Sequence, residues 1–301
     1  MVATQRLLAD VGYQSNWFDV LQSDFMRNAL LGGTLVAVAS GLIGHFVVIR
    51  RDSFAAHALA HIGFPGATGA VLVGAPVVAG LAVFCVTGAI AIGAFGKRVD
   101  RREVATGTTL AFATSLGVLF ASLTTRSSST VTSVLFGNLL AISTGELAFA
   151  ALFTVAILGA LAVMARPLLF ASVSPDVAEA RGVPVRTLGI AFLVLLALVV
   201  TMAVQVVGTL LLFALVVTPA ATALSLTARP AAAVATSAGI ACGSVWFGLV
   251  LSAMFDLPPS FPIVSLAFAA WLVATSVARP KRHPVVHHDG HHHHDEPGML
   301  A

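Results

Sequence analysis

Two histidines four residues apart stand in an otherwise apolar stretch. The run from Arg50 to Gly66 reads RRDSFAAHALAHIGFPG, with imidazoles at His57 and His61. On a helix, side chains at i and i+4 share one face, so both rings point the same way. Imidazole nitrogen suits zinc and other borderline transition metals, and carboxylates extend the choice to manganese. A single intramembrane imidazole more often bridges helices by hydrogen bonding. The pairing brings metal handling level with that plainer account. No Glu follows the first His, as a zinc peptidase would need, so hydrolysis is not supported. Pro65, with Gly63 and Gly66 beside it, is expected to interrupt the helix and free carbonyls toward a cavity.

Other polar groups are weaker candidates. His45 lies upstream in another apolar run and is a possible contributor to the same path. Glu103 opens a later run, where solvation at a helix start accounts for it; a place on the metal path is the sharper alternative. Pro219, in VVTPAATA, is expected to kink its run, and such a kink can line a permeation path. Cys85 and Cys242 sit among apolar residues and read as small core fillers. Residues 283–296 (HPVVHHDGHHHHDE) gather His287, His288, His291, His292, His293 and His294 beside Asp289, Asp295 and Glu296. Clustered imidazoles and carboxylates can bind zinc or nickel in several geometries. The competing source of such a run is a purification tag, but four consecutive histidines embedded in mixed sequence favour a native tail. Such a polar stretch cannot build an apolar core and reads as disordered.

The elements that must position these groups follow from charge. Of 301 residues only 10% are charged, while 58% are hydrophobic, against roughly 25% charged in an ordinary soluble domain. Mean hydropathy is +0.97. The net charge of +3 is too small to argue for nucleic acid. No formally charged side chain falls between Arg27 and Arg50, or between Asp52 and Lys97, and further charge-free intervals follow to Ala278. A helix needs about 20 residues to cross hydrocarbon. The class is therefore an all-α, polytopic helical membrane protein with 8–9 transmembrane helices.

Crossings are expected near 28–49, 54–73, 77–96, 104–123, 146–165, 187–204, 208–227, 232–252 and 261–278. Eight remain if Thr187–Ala228 forms one long or broken element. Nine would gather the basic clusters at one edge, with the N-terminus outside and the C-terminus cytoplasmic in a plasma (inner) membrane. Arg126 is the exception. Residues 1–26 read as an extramembrane lead-in, 27–278 as the membrane domain and 279–301 as a cytoplasmic tail. Val131–Ser143 is too short to cross and suits an interfacial or re-entrant piece. Ser172–Arg186 reads as a cap, a short helix and a Gly182–Pro184 stop, with Ser174 or Asp176 as the cap.

Taken together, these stretches resemble the membrane permease subunit of the zinc/manganese-uptake ABC transporters (ABC-3 type). The resemblance spans roughly Phe25–Ala278 and lies in ALLGG…GLIGHFVVIRR, AHALAHIGFPG, Glu103–Gly107 with Leu116–Phe120, Leu135–Asn138, Asp176–Val183 and VGTLLLFALVVTPAATA. It implies an ABC importer permease of type II-like fold that moves zinc, with manganese or iron as alternatives. It also implies a homodimer, a cytoplasmic ABC ATPase on each copy and an extracytoplasmic metal-binding protein. The transported metal would be the only ion handled, with no permanent cofactor. The chain would not itself be an enzyme, and it lacks a Walker motif. Asp176, Glu179, Ala180 and Gly182 would belong to the ATPase-coupling loop. The family block places Asp where His57 stands, so His61 carries over as a ligand and His57 replaces the carboxylate. Two neutral imidazoles make a softer site, which favours zinc. A secondary metal transporter is the first rival, but its spans would carry coupling carboxylates. A same-fold importer of a metal chelate is the second.

Overall fold

The computed structural model describes residues 17–96, 99–124, 132 and 134–277. Its histidine-rich tail from His287 to His294 lies outside the described residues, as does Arg126. The described residues form helices α1 (Trp17–Gln22), α2 (Asp24–Ile49), α3 (Ser53–Val73), α4 (Val77–Phe95) and α5 (Val99–Ser122), then a 3-10 turn at Leu139–Ala141. There follow α6 (Thr144–Val173), α7 (Pro175–Ala180), α8 (Val185–Leu226), α9 (Pro230–Phe255) and α10 (Ser260–Val277). Eight of these are long and apolar enough to cross a membrane.

Helix α8 holds the bundle together and is two crossings in one element. At 42 residues a straight helix would run about 63 Å, twice the roughly 30 Å hydrocarbon core. Non-helical dihedrals at Gly208 (φ 79°, ψ 169°) break it. Its contacts with α2 show that the chain reverses there. Phe192 lies against Phe46, Val206 approaches Gly32, and Val216 with Ala220 returns to Gly44. The two limbs therefore run in opposite directions along α2, which gives nine crossings among the described residues. The expected boundary between the crossings 187–204 and 208–227 falls within a few residues of this break. Pro219, read separately as a kink, lies buried in the second limb, and the helix continues through it.

The reversal explains the segment before α6. Residues 134–136 make a helical turn and Gly137 (φ 71°) redirects the chain. A Cβ on Gly137 would overlap the backbone of Val207 and Gly208, and one on Gly208 would overlap Gly137 and Phe136. Two backbones thus touch directly, in conformations that side chains oppose. Val134, Leu139 and Ile142 are buried, and Asn28 Nδ2 donates to the Ile142 carbonyl at 3.1 Å. The segment is a packed cap over the α8 reversal, not a crossing.

Two further differences have local causes. Helix α6 continues past the expected end of its crossing to Val173, so the basic connector is shorter than its charges suggested. Helix α3 runs unbroken through Pro65, where an interruption was expected. Gly66 and Gly80 meet backbone to backbone, and that close packing of α3 on α4 supports the helix across the proline. The proline's chemical effect survives, since it has no N–H to offer the His61 carbonyl. Outside this core the surface is apolar: 72% of the α8 membrane window is buried but only 17% of that in α5, whose Phe112 and Val118 are exposed. Such side chains suit lipid.

Candidate metal pathway

Helix α3 presents His57 and His61 on one face, as their spacing requires. Their ring centroids lie 4.7 Å apart at an interplanar angle of 71°. The edge of His57 also meets Phe213 of the second α8 limb, at 5.1 Å between centroids. Both imidazoles are half-buried. Neither finds a hydrogen-bond partner among the described residues. Phe213 and its neighbour Leu210, 51% exposed, leave this side of α3 and α8 open rather than sealed. A pair of partnerless imidazoles beside an open apolar wall can donate nitrogen lone pairs to a metal ion. Among the described residues no third His, Cys, Asp or Glu joins them.

The other candidates are elsewhere. His45 is 1% exposed in α2, stacked edge-on against Phe46 at 5.4 Å, with neither ring nitrogen hydrogen-bonded. It does not extend the pair into a three-ligand group. Glu103 is exposed at the end of the bundle that carries Arg50 and Arg51, where it lines a small cleft with Asp52 and Thr106. Glu146 closes a capping box: its carboxylate accepts from the Ser143 backbone N–H at 2.9 Å, and the Ser143 hydroxyl accepts from the Glu146 N–H. Cys85 is fully buried against the Leu59 carbonyl, which suits a core filler.

The predicted connector forms where its signals fall. Pro175 starts α7 as the first helical residue, a position where its missing N–H costs nothing. Gly182 (φ 80°) ends it. Ser174 occupies the cap position without a side-chain cap bond. Ala178 is buried, whereas Asp176, Glu179 and Ala180 face outward. The helix therefore offers a short acidic and apolar ridge at the basic end of the bundle.

One group escaped the sequence reading. Arg50 counted there only as a flanking positive charge, yet its Nε lies 3.1 Å from Asp52 Oδ2, with the two side chains 8% and 0% exposed. The signal was present in the sequence: an acid directly after an Arg pair at an apolar boundary.

Residues 22–278 match the ABC 3 transport family. The chain belongs to that family. Among its relatives, the manganese transport system membrane protein MntC of Listeria innocua serovar 6a is 29% identical over 256 residues, covering 85% of this chain and 91% of that protein. A probable iron transport system membrane protein of Haemophilus influenzae is 28% identical over 264 residues, covering 86% and 96%. The solved structure of PsaBC from Streptococcus pneumoniae in complex with Fab superposes with a TM-score of 0.79 at 28% identity, over 89% of this chain and 98% of that one. The all-helical permease fold of the family is thus the fold of this chain.

Proposed function

We propose that the chain is the permease subunit of an ATP-driven importer of a divalent transition metal, with zinc as the preferred ion. The observation that carries the reading is the His57–His61 pair, without a hydrogen-bond partner among the described residues and half-open inside a transport-family bundle. The named relatives support metal as cargo, since their names give manganese and iron. They do not favour zinc; that preference rests on the ligands. Imidazole is a better match to zinc than to manganese, which favours oxygen donors.

A homodimer would complete the site. Two-fold pairing repeats one surface patch on both copies, so two chains meeting near Leu210 and Phe213 would bring four imidazoles together. Four nitrogen donors suit tetrahedral zinc. Energy would come from an ABC ATPase seated on the outward ridge of α7 through Asp176, Glu179 and Ala180. Metal would come from an extracytoplasmic binding protein at the opposite end. The basic residues at one end then mark the cytoplasmic side of the plasma membrane, with the N-terminus outside and the C-terminus within. The chain itself would carry no enzymatic step. It would admit the ion, exchange its water for side-chain ligands, and release it as the bundle changes its open side.

Ligand chemistry gives a direct test. His57→Asp restores an oxygen donor beside His61, and the complex should shift its preference from zinc toward manganese by about tenfold or more. Competition uptake with both ions measures the ratio. An unchanged ratio removes His57 from selectivity.

A further inference from the structure

Helices α2 and α3 join through a three-residue link: Arg50 caps α2, Asp52 precedes α3, and Arg51 between them has φ 58°. That positive φ is uncommon for a residue with a side chain. It lets the first and third residues of the link turn back toward each other. Asp52 stands at the N-cap of α3 without capping it; its carboxylate faces Arg50 Nε instead.

The rest of the guanidinium reaches other elements. Nη1 donates to Ser172 Oγ at 3.4 Å. Ser172 lies two residues before Ser174, the residue shared by the end of α6 and the start of α7. Arg50 Cζ lies 5.1 Å from the centroid of the Phe192 ring in the first α8 limb. Gly189, one turn away, lacks the Cβ that would come 3.2 Å from Nη2. One planar side chain thus touches the histidine-bearing helix through Asp52, the last turn of α6 where it leads into α7 through Ser172, and the first α8 limb through Phe192. Beside it lies a cavity of about 350 Å³ lined by Arg50, Arg186, Gly189 and Glu179 of α7. That space leaves room for α7 to shift toward Arg50.

We propose that Arg50 is a positioning residue that transmits movement of α7 to the His57–His61 helix, so that ATP hydrolysis and metal movement stay coupled. The inference rests on the reading of the chain as an ATP-driven permease. A lysine keeps the charge opposite Asp52, but an ammonium cannot bond two partners in a fixed fork and lie over a ring at once. Arg50→Lys should therefore fold and yet couple poorly. Ser172→Ala removes the contact with the end of α6, through which α7 is attached, and leaves the buried ion pair intact.

The test uses the full complex with its ATPase and binding protein in vesicles, and reads ATP hydrolysed per zinc ion transported. Arg50→Lys should raise that ratio about tenfold, the scale of an ordinary coupling between sites. Basal hydrolysis and zinc binding to the detergent-solubilised complex should stay near wild type. Ser172→Ala should change the ratio in the same direction by less. Should Arg50→Lys fail to assemble, Ser172→Ala decides alone. A wild-type ratio in the assembled variants overturns the proposal, and so does a proportional fall in hydrolysis and uptake, which marks a merely structural role. A wild-type complex that never links uptake to ATP overturns the parent reading instead, and this inference with it.

Discussion

His61→Ala is expected to abolish ATP-dependent metal uptake while the bundle still assembles. The imidazole is half-buried and has no hydrogen-bond partner among the described residues, so its loss leaves no protein group unsatisfied. Stability should change by about 1 kcal/mol, the ordinary scale of a point substitution. Transport should suffer far more. Losing an outer-shell partner of a metal ligand costs roughly 10–100-fold in affinity or activity, and loss of the ligand itself should exceed that. Initial uptake rates, measured at equal amounts of assembled complex, check the prediction. Unchanged rates would remove His61 from the path.

Gly208→Ala should do the reverse, damaging the fold wherever the metal travels. At φ 79° and ψ 169° the residue lies in a region almost confined to glycine, where a side chain costs about 1–3 kcal/mol. Its new Cβ would also press into the backbone of Gly137 and Phe136, and overpacking adds about 1–3 kcal/mol. The two effects act on one reversal, and a melting temperature lowered by many degrees is expected in detergent. Pro219→Ala is the control, because Pro219 lies inside a continuous limb. Should Gly208→Ala leave the melting temperature alone while Pro219→Ala lowers it, the reversal has been assigned to the wrong residue.

Much of the architecture was legible because membranes punish charge. The charge-free intervals between Arg27 and Arg50 and between Asp52 and Lys97 contain helices α2, α3 and α4 almost to the residue. The α7 connector was legible for a local reason, its Pro175 start and Gly182 stop. What sequence could not show was contact between distant backbones. Gly137 and Gly208 look like ordinary small residues until folding brings them together. Pro65 misled: local rules predict an interruption there, but the close packing of Gly66 on Gly80 keeps the helix running.

The site was legible in part. Spacing alone placed His57 and His61 on one face, and the rings do meet. His45 was associated with them by residue type, but its side chain is enclosed in the α2 packing. Glu103 belongs to the basic end and lies near Arg51 and Asp52. The Arg50–Asp52 pair was hidden by the habit of counting an arginine at a span boundary as a topology signal. Its burial makes it a joint as well.

The most direct measurement places the chain, its ABC ATPase and its binding protein in sealed vesicles and follows zinc, manganese and iron uptake with and without hydrolysable ATP. The account predicts uptake only when all three proteins and hydrolysable ATP are present, with zinc ahead of manganese. Uptake that persists without ATP and follows an ion gradient would contradict it.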